Sequence, residues 1–151
     1  SGTGKAYVWH GSATGLTDGD DAGDADWSIA GEDSSNWFGI SVASAGDVNG
    51  DGYDDVIVGA SWYSSNTGRA YVWHGSSTGL ASGSDAGDAD WVITGQSNSR
   101  TGRSVASAGD VNGDGYADII VCDMYPDGPG NNAGEAYVYH GSASGLSATT
   151  D

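Results

Sequence analysis

The stretch Asp47-Val48-Asn49-Gly50-Asp51-Gly52-Tyr53-Asp54-Asp55 sets oxygen-bearing side chains at its first, third, fifth and ninth positions, with glycine at the sixth. It returns as Asp110-Val111-Asn112-Gly113-Asp114-Gly115-Tyr116-Ala117-Asp118. Such a run can wrap a hard cation with oxygen alone, the glycine allowing the sharp turn and the seventh residue offering its carbonyl. Flexible, all-oxygen ligation suits Ca²⁺ better than Mg²⁺, which keeps several waters in a tight octahedron. The expected ligands are Asp47, Asn49, Asp51, the Tyr53 carbonyl and Asp55, then Asp110, Asn112, Asp114, the Tyr116 carbonyl and Asp118. Asp54 is left out because Ala117 replaces it in the second copy. An EF-hand opens in the same way but needs a bidentate Glu at its twelfth position and flanking helices. Here that position is Val58 or Val121, within the apolar runs Val56-Ile57-Val58 and Ile119-Ile120-Val121, so each loop is expected to join two strands.

The elements that must hold these loops are themselves repeated. Gly4-Lys5-Ala6-Tyr7-Val8-Trp9-His10-Gly11-Ser12 recurs from Gly68 and, with Glu135 and Tyr139 as changes, from Gly134, and Asp21–Trp27 recurs as Asp85–Trp91. Fixed-period similarity marks a repeat architecture. Within a unit of about 64 residues, four short stretches rich in Val, Ile, Tyr and Trp alternate with Gly, Asp, Asn and Ser clusters, the pattern of strands joined by turns. We term them A (38–46), B (54–60), C (69–75) and D (90–95). Repetition adds C at 5–11 and 135–141, D at 26–31, and A and B at 102–109 and 117–122. The expectation is an all-β chain of propeller blades, each of four antiparallel strands, about two blades in all. It divides into a partial blade at 1–31 (C, D), a complete one at 32–95 and a partial one at 96–151 (A, B, C). A jelly roll or sandwich would not require near-identity at fixed spacing.

Phe38-Gly39, the loop Asp47–Asp55, the apolar strand after it, Gly59-Ala60 and Gly68-x-Ala-Tyr-Val together resemble the FG-GAP repeats of integrin alpha-chain propellers and related bacterial surface proteins. The resemblance covers nearly the whole chain. It implies Ca²⁺ in the A–B loop and blades packed around an axis. Departures from the pattern are Ser61 in place of the usual Pro, and Thr101-Gly102 and Cys122-Asp123-Met124 in the second copy.

Twenty-one Asp and Glu against four Lys and Arg give 151 residues a formal charge of −17. So acidic a surface repels phosphate backbones and anionic lipids and favours cations. Nucleic acid and membrane insertion are therefore not expected, and no apolar run approaches the roughly 20 residues of a membrane span. With Ser at position 1 the chain reads as a processed product or an excised piece. A single cysteine, Cys122, rules out an internal disulfide. The acidic run 18–26 reads as a solvated turn, because its sister copy has Ser82 and Ser84 for Asp18 and Asp20. Gly75-Ser76-Ser77-Thr78-Gly79 matches a hydrolase nucleophile elbow, but no helix follows, and Ala13 and Ala143 replace Ser77 in the other copies. His10, His74 and His140 share one repeated position and are expected to pack or bond against a neighbouring turn.

These readings point to a non-enzymatic, Ca²⁺-binding propeller module with two metal sites, extracellular or at the cell surface, for recognition or adhesion. The alternative is the accessory propeller of a secreted enzyme acting on polysaccharide or phosphoester, with its chemistry elsewhere. Antiparallel alternation places the A–B and C–D loops at one end. The other end then presents Trp37, Trp62, Tyr63, Arg100 and Tyr125 to a protein or glycan ligand, aromatic and Arg side chains being favoured in binding hot spots. Nine strands hold only one complete blade in sequence, so open faces and edges would invite other copies. Closure is expected through a homo-oligomer in which the terminal A–B joins the initial C–D of a neighbour, with the two C strands competing for one slot or one displaced.

Overall fold

The computed structural model describes residues 2–16, 21–125 and 133–147. The acidic residues Asp18 and Asp20, and most of the B–C connection at 123–133, lie outside them. Strands β1 (Lys5–Val8), β2 (Gly11–Ser12), β3 (Gly15–Leu16), β4 (Trp27–Ala30), β5 (Phe38–Gly46), β6 (Asp55–Ala60), β7 (Arg69–Trp73), β8 (Trp91–Thr94), β9 (Ser104–Gly109), β10 (Asp118–Asp123) and β11 (Glu135–Tyr139) follow in chain order. All pair antiparallel, in sheets β1-β4, β5-β6-β7-β8 and β11-β10-β9, with β2-β3 a small separate hairpin. The β5–β8 sheet holds the stretches A to D in their chain order.

Val, Ile, Tyr and Trp alternate along the central strands, so both faces of the middle sheet are apolar. Val58, Ala60, Tyr71 and Trp73 turn to one side, where they pack with Ala6, Trp27, Ile29 and Phe38. Ile57, Ala70 and Val72 turn to the other and meet Ala45, Val48, Val105, Ile119, Val121 and Tyr139. The middle sheet is thus sandwiched between the two end sheets. Trp73 meets Trp27 edge to face at 5.4 Å, and the equivalent pair Tyr139 and Trp91 lies at 5.1 Å. Each pair is anchored by an indole N–H: Trp27 Nε1 donates to the Ala81 carbonyl at 2.9 Å and Trp91 Nε1 to that of Ser147 at 3.2 Å. Glu32 closes the seam at the other end, taking two bonds from Arg69 Nη1 (3.2 and 2.8 Å) and one from the buried Tyr71 hydroxyl (2.8 Å).

Some boundaries differ from the repeat pattern. The C strands end early, at Val8 and Trp73, where just beyond them His10 and His74 give their N–H groups to Asp26 (2.6 Å) and Asp90 (2.8 Å) rather than to a ladder. A helical turn, Tyr63–Asn66, stands in the B–C connection; Ser64 (φ 45°), Ser65 (φ 60°) and Asn66 (φ 75°) are left-handed there, a geometry with no periodicity to betray it. The expected A strand from 102 begins at Ser104, since Thr101 instead bridges Gly68 in the neighbouring sheet.

Gly59 shows how closely the sheets approach. A methyl at this position would lie 2.0 Å from the Gly102 carbonyl oxygen and 2.4 Å from Ser41 Oγ. Because backbone must then move, Gly59→Ala is expected to cost about 1–3 kcal/mol, as overpacking does. Gly134→Ala, whose added methyl would meet nothing nearer than 3.5 Å, should change stability by less than about 0.5 kcal/mol. Urea denaturation of the two variants checks the contrast.

Candidate metal loops and the aromatic face

Both Asp/Asn loops fold identically. Asp47 turns its carboxylate into its own loop: Oδ1 accepts the N–H of Gly50 (2.7 Å) and Asp51 (3.1 Å), and Oδ2 that of Gly52 (2.8 Å). Asn49 Oδ1 accepts from Asp51 N–H at 3.0 Å, and Asp51 Oδ1 from Tyr53 N–H at 2.9 Å. In the second loop Asp110 takes Gly113 (2.7 Å), Asp114 (3.0 Å) and Gly115 (2.9 Å), while Asp114 Oδ1 takes Tyr116 at 3.0 Å. Gly50 and Gly52 have φ of 75° and 91°, and Gly113 and Gly115 of 76° and 95°, left-handed values that favour glycine.

The ninth residue does something the spacing did not reveal. Asp55 and Asp118 are fully buried. Asp55 Oδ2 accepts from Val48 N–H at 2.8 Å and Oδ1 from Gly75 N–H at 2.8 Å, so one carboxylate ties the loop entrance to the end of β7. Asp118 repeats this with Val111 (2.8 Å) and Gly141 (2.9 Å). The loops also reach the next sheet: Ala117 N–H donates to the Asp47 carbonyl at 2.9 Å and Ser142 N–H to that of Val48 at 3.0 Å. Ala117 lies against Gly46, which explains why the eighth position of the second loop is not acidic.

All side-chain and carbonyl atoms proposed as ligands are oxygens, chemistry that fits a hard cation. Among the described residues, no three His, Cys, Asp or Glu side chains stand together as a ready-made metal cluster. The acidic connections play another part. Asp21 and Asp85 cap short 3₁₀ turns by accepting from Gly23 (2.6 Å) and Gly87 (2.9 Å), and Asp88 accepts from the Ser84 N–H and hydroxyl at 2.7 and 2.9 Å. Ser76 closes a tight turn onto the Gly79 carbonyl at 2.6 Å. His10 and His74 rest against Gly79 and Gly145, turns of the following repeat.

At the opposite end of the strands, where Phe38 pairs with Ala60, the predicted partner-binding residues form a ladder. Trp37 stacks on Trp62 with centroids 4.8 Å apart, the Arg100 guanidinium lies 5.0 Å from the Trp62 ring, and the same guanidinium lies 5.4 Å from Tyr125. Trp37 and Arg100 hold equivalent places and are both left-handed (φ 54° and 57°), which turns their side chains out of the strand line. Tyr63 stands apart, under the Arg69 guanidinium at 3.7 Å. Sequence reasoning did not find the Arg69–Glu32–Tyr71 network; the change from Lys5 to Arg69 was its one visible trace.

The chain matches the FG-GAP repeat family over residues 38–73 and 101–139. It carries FG-GAP repeats and belongs to that family, and its sheets are blades of the β-propeller type. Integrin alpha chains are among its curated relatives. It is 34% identical to integrin alpha-PS2 of Drosophila melanogaster over 132 residues, 79% of this chain and 9% of the relative. Against integrin alpha-3 of Mus musculus the figures are 36% over 114 residues, 73% and 10%. Against integrin alpha pat-2 of Caenorhabditis elegans they are 40% over 95 residues, 62% and 8%. The chain therefore spans about a tenth of the length of the relatives it matches.

Two of the loop carboxylates, Asp110 and Asp55, are shifted in opposite senses. Bonds from backbone N–H groups, Gly115 first, hold Asp110 below the ordinary 3.8, whereas burial pushes Asp55 above 3.8 against the bonds from Gly75 and Val48. Asp110 thus adds stability present above its unfolded pKa and lost as pH falls through its lower folded value. Asp55 works the other way: its contribution is full below the unfolded pKa and is lost as pH rises through the folded one. Carboxyl-carbon NMR titration of the metal-free protein is expected to give midpoints on opposite sides of 3.8, and a reversed order would refute this account of the loops.

Proposed function

We propose that the chain is a Ca²⁺-binding FG-GAP propeller module for extracellular or cell-surface recognition and adhesion, non-catalytic, and completed by other copies of itself. The observation that carries the reading is the doubled all-oxygen loop, built the same way twice on a family framework shared with integrin alpha chains. In this reading Asp47, Asn49, Asp51, the Tyr53 carbonyl and Asp55 hold one ion, and Asp110, Asn112, Asp114, the Tyr116 carbonyl and Asp118 the other. Residues 1–31, 32–95 and 96–151 are a partial, a complete and a partial blade. The metal serves structure: ligation offsets the entropy of ordering a glycine-rich loop and spreads the concentrated negative charge.

The Trp37–Trp62–Arg100–Tyr125 ladder is the proposed recognition surface for a protein or glycan ligand. Trp37 is 48% exposed, and flat aromatic and guanidinium faces offer large contact area at small entropic cost.

Two outcomes are expected. Stability should rise with free Ca²⁺, by about 2.7 kcal/mol at a hundred times the dissociation constant, and Asp51→Ala and Asp114→Ala should each remove one calorimetric site. Equal melting temperatures in chelator and in millimolar Ca²⁺, with no binding heat, would refute the metal assignment. On glycan and protein arrays, Trp62→Ala and Tyr125→Ala are expected to abolish whatever binding the parent chain shows, and unchanged binding would exclude this face.

A further inference from the structure

In the β9-β10-β11 sheet, β11 supplies the C strand, and one rung of its pairing is electrostatically wrong. Asp123, the last residue of β10, lies directly across from Glu135 of β11. Asp123 is buried, 6% exposed, and its Oδ1 has no hydrogen-bond partner. Ser99 and Thr101 face the same carboxyl, whose pKa burial pushes up, and the charge of Glu135 adds to that rise. In the middle sheet the equivalent rung pairs Ala60 with Arg69. Two departures from the repeat, Asp for Ala and Glu for Arg, therefore meet at one position as like charges, a destabilising cross-strand pair.

At the other end of the chain β1 has the complementary defect. Among the described residues it pairs with β4 alone, and none of their strands lies along its second edge. Its Tyr7 and Trp9 are half-buried and stack on each other at 5.9 Å, whereas their counterparts Tyr71 and Trp73 are each 1% exposed within the seam between sheets. Carrying the β6–β7 register over to β10 and a β1 strand sets Ile119 across from Trp9, Ile120 from Val8, Val121 from Tyr7, Cys122 from Ala6, and Asp123 from the exposed Lys5. That register supplies a cation at the rung where the chain's own β11 supplies an anion. It also turns Tyr7 and Trp9 to the side on which Ile119 and Val121 already pack.

We propose that β1 of a second copy, entering together with its β4, displaces β11 and completes the β9-β10 sheet, with Lys5 of that copy paired to Asp123. The proposal rests on the self-assembly reading above and names the strand that carries it. Cys122 has a side chain where Gly59 has none, so the neighbour's Gly39 stands farther from β10 than Gly102 stands from β6.

Cys122 is the chain's only cysteine, which makes it a reporter. Ala6→Cys and Ala136→Cys place a second thiol across from it in the two competing arrangements. In millimolar Ca²⁺ under mild oxidation, Ala6→Cys is expected to give disulfide-linked oligomers on a non-reducing gel, and Ala136→Cys no intrachain link. Lys5→Glu, at an exposed position that does not threaten folding, should raise the concentration for half-assembly by about tenfold, and Glu135→Lys, which gives the chain's own β11 the cation that Asp123 lacks there, should raise it too. Light scattering reads both. A monodisperse 15.1 kDa particle for the unmodified chain would overturn the self-assembly reading and the strand exchange with it. An oligomer that Lys5→Glu leaves intact, together with an intrachain link in Ala136→Cys, would overturn the strand exchange alone.

Discussion

A buried carboxylate at the foot of each B strand is the constraint on which the rest of the molecule depends. Asp55 and Asp118 each bind a backbone N–H at the mouth of the Asp/Asn loop and another just past the end of the C strand. The C-strand end, 20 or 23 residues beyond the carboxylate, is thereby fixed to the mouth of the loop. Loss of such a bond would leave a buried donor unpaired, at a cost of about 1–3 kcal/mol each. With its mouth held, the loop closes on Asp47 or Asp110. The same clamp positions the C-strand end whose aromatic, Trp73 or Tyr139, fills the seam to the preceding sheet.

The seams explain why small and left-handed residues occur where they do. The middle sheet is apolar on both faces, so its neighbours approach to backbone contact at Gly59 and Gly102. Strand A enters that contact from a residue at positive φ, Trp37 or Arg100. An αL conformation is unfavourable for a bulky residue and is expected only where surroundings over-determine it. Here Trp62 and Tyr125 accept the displaced side chains, so packing geometry within the sheets generates the stacked ladder on the surface.

Much of this was legible because the sequence repeats itself. Four strand signals per unit, two loop copies and one apolar alternation fixed the order of the sheets, and the match between Asp47–Asp55 and Asp110–Asp118 marked the ninth residue as special. Its cross-strand bond to Gly75 or Gly141 was hidden, since no local pattern links residues so far apart. The helical turn at Tyr63–Asn66 was equally hidden, because its left-handed Ser and Asn residues depart from any helix period. The β2-β3 hairpin is only two residues on each side, too short to alternate. Of the face residues, Trp37, Trp62, Arg100 and Tyr125 stack in one ladder, whereas Tyr63 packs under Arg69.

Charge is divided along the strands, and this division links the two proposed roles. Lys5, Arg69, Arg100 and Arg103 are all the basic residues of the chain, and each sits where a C strand starts or an A strand is about to. The Asp/Asn loops and the capped 3₁₀ turns cluster at the other end. Without a cation, carboxylates crowded there repel one another, and hydrogen bonds such as the backbone N–H bonds to Asp47 and Asp110 offset the repulsion. A divalent ion bound as proposed would act where the charge is, leaving the basic end untouched. That end needs no metal to be ordered: Arg69 is held by Glu32 and Tyr63, and Arg100 by Trp62 and Tyr125. A module built this way can have its stability set by Ca²⁺ at one end while its contact chemistry at the other stays constant.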